Sequence, residues 1–142
     1  MQSTAVAALL VTLMLCGPMV VSGAERQDAR FGTFSSLSFN KEGGDLLGVE
    51  LKIVPARRGS ASVIQGALQI SDGEPSEIMV VDIAIEGSRI RFAIPSSYPL
   101  YGGRTFEGTI DRAEIKGRFG IKGGMSKEQR LRRGKSYWDK LK

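Results

Sequence analysis

Along residues 78–94, apolar and polar side chains alternate. Met79, Val81, Ile83 and Ile85 fall on one side of an extended chain, and Ile90, Phe92 and Ile94 do the same after a break. A period of two marks a half-buried β-strand. Between the runs stands Glu86-Gly87-Ser88-Arg89. A Gly-Ser pair between alternating runs predicts a two-residue hairpin with a type II′ turn, because Gly87 can take the positive φ needed at the first central position. The register then sets Glu86 opposite Arg89, Ile85 opposite Ile90 and Ile83 opposite Phe92. Charge meets charge outside and apolar meets apolar inside.

The rest of the chain repeats this pattern. A first strand is predicted over residues 32–39, with Leu37 and Phe39 facing in, followed by a turn at 41–45. Residues 46–54 alternate, with Leu47, Val49, Leu51 and Ile53 inward and Glu50 and Lys52 outward. A basic loop at 55–60 carries Arg57 and Arg58. A third strand, 61–70, puts Ile64, Leu68 and Ile70 inward, and an acidic, turn-rich connection, 71–77, leads to the first hairpin. After the long loop 95–104, residues 105–111 and 114–122 make a second hairpin around Arg112-Ala113. Phe106, Gly108 and Ile110 there face Phe119, Gly117 and Ile115, with Glu107 opposite Arg118 outside. An eighth element is expected within 127–133, and Tyr137-Trp138 is expected as a short helix or an aromatic clip. Seven or eight short strands in sequence predict an all-β fold: a single antiparallel up-and-down β-barrel or a barrel-like sandwich. Closure is the favoured form, because it removes the edges an open meander exposes. Inward Gly108 and Gly117 are then bend points.

The N-terminal stretch departs from the pattern. Residues 5–16 are almost wholly apolar, Gly17-Pro18 breaks the run, and Ser22-Gly23-Ala24 offers small residues for cleavage. This reads as a secretory signal peptide, residues 1–24, cut after Ala24. The alternative is an N-terminal membrane anchor extending to Val21, at the short limit for spanning a bilayer. Cys16 follows Leu15, where a lipidation site needs a small residue. If Cys16 leaves with the signal, the mature chain has no cysteine, and the whole sequence has no histidine. The expected organisation is a signal peptide (1–24), a barrel-like domain (25–124) and a basic strand or tail (125–142). A chain ending after Gly124 is expected to keep a folded body. The expected location is exported, periplasmic or extracellular.

Composition narrows the chemistry. Without histidine there is no imidazole base or ligand, and without mature cysteine no thiol chemistry. The strand carboxylates Asp82, Glu107, Asp111 and Glu114 fall on the outward face, next to Arg and Lys, where a solvated role is the ordinary one. The pairs Gly43-Gly44, Gly102-Gly103 and Gly123-Gly124 open no helix, so no phosphate cradle is expected. No catalytic residue, cofactor or metal site is predicted, and the chain is read as non-catalytic. The net charge of +5 is concentrated at the end: residues 127–142 hold seven Lys/Arg against Glu128 and Asp139.

Two resemblances attach to particular residues. Gly32-Thr33-Phe34 resembles the Gly-x-Trp near the start of lipocalins and avidins, with Phe in place of Trp, and implies a calycin-like exported barrel. Nothing about biotin carries over, since the body has no tryptophan before Trp138. Arg133-Gly134-Lys135-Ser136-Tyr137-Trp138 is similar to the closing run of small exported bacterial proteins.

Binding is therefore the expected role, at two places. Tyr98, Leu100, Tyr101 and Arg104 lie on a loop stiffened by Pro95 and Pro99, suited to a ligand or partner; alternatively Tyr98 or Leu100 plugs one barrel end. Arg130, Arg132, Arg133 and Lys135, with Tyr137 and Trp138, suit an anionic envelope surface or polymer; alternatively Trp138 folds onto the barrel's end. Partners expected are such a surface, an envelope protein or a small apolar ligand, with no nucleic acid. A polymer hydrolase using Asp82, Glu107 and Asp111, and a purely structural or accessory protein, are the competing functions.

Overall fold

The computed structural model describes residues 28–141; the expected signal peptide lies outside them. Ten strands follow in order: β1 (Gly32–Ser35), β2 (Ser38–Asn40), β3 (Asp45–Arg58), β4 (Ala61–Gly73), β5 (Met79–Glu86), β6 (Arg89–Ala93), β7 (Thr105–Ile110), β8 (Glu114–Ile121), β9 (Gly124–Met125) and β10 (Gln129–Arg133). A short 3-10 helix, Tyr137–Leu141, ends the described chain. Strands β3 to β8 run as an antiparallel meander. β10 pairs with β8, β1 with β10, and β1 also with β3, so eight strands close a ring. β2 and β9 are short appendages on β3 and β8.

Both predicted hairpins form in the predicted register. Ile83 pairs with Phe92, Ile85 with Ile90 and Glu86 with Arg89. Phe106 pairs with Phe119, Glu107 with Arg118, Gly108 with Gly117 and Ile110 with Ile115. Gly87 has φ of 60°, and no non-glycine residue has a positive φ among the described residues, which fits a II′ turn and excludes I′. Glu86 bridges Arg91 at 2.7 Å rather than its cross-strand neighbour Arg89.

The interior is one continuous apolar cluster. Phe92 stacks on Phe106 with centroids 4.9 Å apart, and Phe119 meets Phe106 edge-on at 5.0 Å. Gly117 makes room for that group: a Cβ there would stand 2.5 Å from the Phe106 ring. At Gly66 a Cβ would stand 2.7 Å from both Leu51 and Ile83. An eight-stranded barrel has an interior just wide enough for side chains to fill, and here they fill it.

Three local readings are corrected. The first strand breaks after Ser35. Phe34 before the break and Leu37 after it are both buried, as expected of Leu37, while Phe39 in the short β2 is 52% exposed. Gly48 has φ of 118°, which switches the face of β3: Leu46 is buried and Leu47 is 39% exposed. Residues 55–58 continue β3 rather than forming a loop. Pro55 is tolerated because β1 begins opposite Ile53, leaving the edge of β3 beyond it without a partner for a missing N–H.

The barrel also reaches past Gly124. β10 lies inside the stretch read as tail, between β8 and β1, with Leu131 buried. A chain cut after Gly124 would lose a wall strand. The eight strands of the closed ring and the apolar cluster they enclose lie within residues 28–141, and a chain beginning at Glu25 retains all of them.

Candidate functional site: the two ends of the barrel

One end collects the short turns β3–β4, β5–β6 and β7–β8, together with the chain entry at residues 28–31. Arg133 closes it. Its Nε donates to Arg112 O at 2.6 Å, its Nη1 to Phe31 O at 2.6 Å, and its Nη2 to Ala29 O. The guanidinium lies 4.4 Å over the Phe34 ring. A planar fork can serve three carbonyls and a ring face together; an ammonium cannot. Gly32 is needed beside it: its φ is 131°, and a Cβ would stand 2.6 Å from Arg133 Nη1. Gly32, Phe34 and Arg133, flagged separately in the sequence, thus form one latch.

The rest of the C-terminal run lies on the outer wall. Ser136 Oγ donates to Glu50 Oε1 at 2.5 Å, and the Tyr137 N–H donates to Glu50 Oε2 at 2.8 Å. Trp138 Nε1–H donates to Gln69 Oε1 at 2.7 Å. Glu50 and Gln69 are cross-strand neighbours on β3 and β4. The 3-10 helix therefore clips onto the wall, and Glu50, expected in solvent, is 92% covered. Tyr137 and Trp138 meet edge to face at 5.3 Å, with Trp138 37% exposed. Arg130 lies 3.6 Å from Glu114, which also bridges Lys116. Arg132 and Lys135 are exposed. The six residues of the basic run are thus divided: Arg133, Tyr137 and Trp138 hold the fold, while Arg130, Arg132 and Lys135 face solvent.

The opposite end is a mouth framed by the loop 95–104, the connection 71–78, β2 and β9. The loop is fastened by its own main chain. Gly102 N donates to Tyr98 O, Gly103 N to Ile94 O and Ile94 N to Arg104 O, at 2.8–2.9 Å. The Val80 N–H donates to Tyr98 Oη at 2.9 Å. That bond replaces sheet pairing, because β5 pairs with β6 only over Ile83–Glu86. Tyr98 and Tyr101 pack against the core, and Arg104 stacks on Tyr101 at 4.8 Å. Leu100 stands 75% exposed. A cleft of about 250 Å³ in the mouth is lined by Leu47, Val49, Ile70, Tyr101, Arg104 and Phe119.

The structure so joins all four loop residues at one barrel end, with the tyrosines inward and Leu100 outward. It adds neighbours the sequence reading did not single out. Phe39, Ile78, Ile121 and Met125 are exposed around the same mouth at 52%, 63%, 42% and 50%. With Leu47 and Leu100 they make six of the nine large apolar side chains exposed among the described residues. Alternation marked Leu47 and Phe39 as core; their appearance here follows from the φ of Gly48 and from the break after Ser35.

The carboxylates stay on the outside of the barrel, Asp82 on the wall and Asp111 in the β7–β8 turn. Asp82 accepts from Arg58 Nη2 at 2.7 Å and from Gln65 Nε2 at 3.1 Å, and those bonds, Arg58's first, lower its pKa from the usual 3.8. Asp111 accepts from the N–H groups of Ala113 and Glu114, which lower it likewise. Among the described residues no group of three His, Cys, Asp or Glu is placed to hold a metal. Comparison with protein-family models, with curated proteins and with solved structures finds no match.

Proposed function

We propose that the protein is a non-catalytic, exported component of the cell envelope that binds a protein partner through the mouth of its barrel. The observation that carries this is the rim: six exposed apolar side chains around one end, one of them on a loop fixed by its own hydrogen bonds. Exposed apolar residues gathered at one place mark interaction surfaces, and a loop ordered before contact loses little entropy on binding. The filled interior favours a partner at the rim over a small apolar ligand inside. The lowered pKa values of Asp82 and Asp111 run opposite to what a general acid requires, which supports binding over hydrolysis. Export rests on the apolar run 5–16 and the Ser22-Gly23-Ala24 site. The calycin-like reading rests on the closed eight-stranded barrel and on Gly32-Thr33-Phe34.

A photo-crosslinking residue placed at Leu100 and, separately, at Ile121 should trap the same envelope protein in intact cells. One placed at Ala84 on the wall should not. Crosslinks indifferent to position would end the proposal. Leu100→Ser should abolish the adduct formed from Ile121 while moving stability by less than about 0.5 kcal/mol.

A further inference from the structure

The two ends differ in charge. The connections at the mouth (41–45, 71–77, 95–104 and 122–128) carry six acids against four bases. The segments at the latched end (28–31, 57–60, 86–89, 111–113 and 133–135) carry seven bases, six of them arginine, against three acids. Arg30 is paired with Asp28, Arg58 with Asp82, and Arg133 is spent on carbonyls. Arg57 near the end of β3, Arg89 at the start of β6 and Arg112 in the β7–β8 turn are exposed and make no ion pair among the described residues. The β5–β6 turn is held against the end of β7, Ile110 N donating to Ser88 O at 2.8 Å.

Beside Arg57 the wall is unfinished. β4 pairs with β5 only over Gln65–Leu68, so residues 61–64 are bonded to β3 alone. The β3–β4 hairpin projects past the barrel, and its base holds a groove of about 540 Å³. Phe31, Pro55, Val63 and Ile64 give it apolar walls, and Arg57 and Ser62 give it a polar edge.

We infer that this latched end seats on the surface of an anionic phospholipid membrane, with the groove taking up apolar contact and Arg57, Arg89 and Arg112 meeting the headgroup phosphates. An apolar trough edged by one unpaired arginine, with two more at the same barrel end, is the chemistry of a membrane interface, where each cation near an anionic leaflet adds to binding. Residues 28–31 lie at this end and supply Phe31 to the groove. An acidic mouth is then turned away from the surface, presenting the rim outward.

The test uses the chain from Glu25 onward and co-sedimentation with vesicles. Phosphatidylglycerol vesicles should carry the protein down and phosphatidylcholine vesicles should not, with the bound fraction falling as salt rises. Replacing Arg57, Arg89 and Arg112 with Gln together should weaken binding on the order of a hundredfold, and each alone several-fold, with unchanged thermal midpoints. Replacing Lys52, Lys116 and Arg118 on the wall removes the same charge and should leave most of the binding. Equal loss in the two triple variants would mean that net charge alone is responsible and would overturn the inference. So would failure of the parent to bind phosphatidylglycerol, or binding that survives the arginine replacements.

Discussion

The two ends of this barrel are closed by opposite means. At the latched end one side chain near the C-terminus, Arg133, reaches main-chain carbonyls more than a hundred residues away. At the mouth, the loop 95–104 bonds mostly to itself, and its one long-range bond to the sheet is the one from Val80 to Tyr98. A long-range latch couples the chain ends to global folding. A locally bonded loop can be altered with little effect on the rest. The second arrangement suits a surface that must present different side chains on a constant frame, and the first suits the frame.

The contrast can be broken most sharply at Arg133. Arg133→Ala removes three charge-assisted hydrogen bonds and a cation–π contact. It should lower stability by about 3 kcal/mol in denaturant titration, with Arg133→Lys recovering only part, because an ammonium lacks the fork. Gly32→Ala should cost about 2 kcal/mol by the same measure, through its positive φ and its contact with the guanidinium. At the mouth, Tyr98→Phe leaves the Val80 N–H without its acceptor and should cost about 1 kcal/mol, less than the latch variants. If Tyr98→Phe proves as costly as Arg133→Ala, the mouth is part of the frame after all.

Between the ends, the wall clip can be read from the only tryptophan in the chain. Glu50→Ala removes the acceptor for both Ser136 and Tyr137. Trp138 emission should shift to longer wavelength while the barrel stays folded. The smallest effect belongs to Asp82. Its pKa is lowered in the folded state, so its contribution is present above the ordinary value of 3.8 and lost as pH falls through the folded value. Asp82→Asn should therefore reduce stability slightly at neutral pH and not at all in strong acid, as compared midpoints at the two pH values would show. Both partners are largely exposed, which keeps the effect small.

Much of this frame could be read directly from residue order. Alternation and turn chemistry are local, and they set the pairing of β5 with β6 and of β7 with β8, and the inward glycines of the second hairpin. Leu47 was misread because a single φ at Gly48 reverses the face there, and Phe39 because the first strand breaks after Ser35; alternation carries no information about either. Pro55 looked like a strand end because its lack of an N–H matters only where a neighbouring strand is present. The loop residues Tyr98–Tyr101 were visible as candidates, yet the rim they join is assembled from five other segments and has no sequence period. The run 133–138 was visible as a unit, but basic and aromatic residues suggest a surface ligand equally with internal bonds. Only tertiary contacts to Phe34, Glu50 and Gln69 separate Arg133, Tyr137 and Trp138 from the residues left in solvent.

Ring closure by β1 and β10 has a consequence for how the molecule is made. The first wall strand has no neighbour on one side until residues 129–133 have been made. Contacts of such long sequence separation form slowly, and here they cannot form at all on an incomplete chain. This order of strands delays completion of the barrel until its last wall strand has been made.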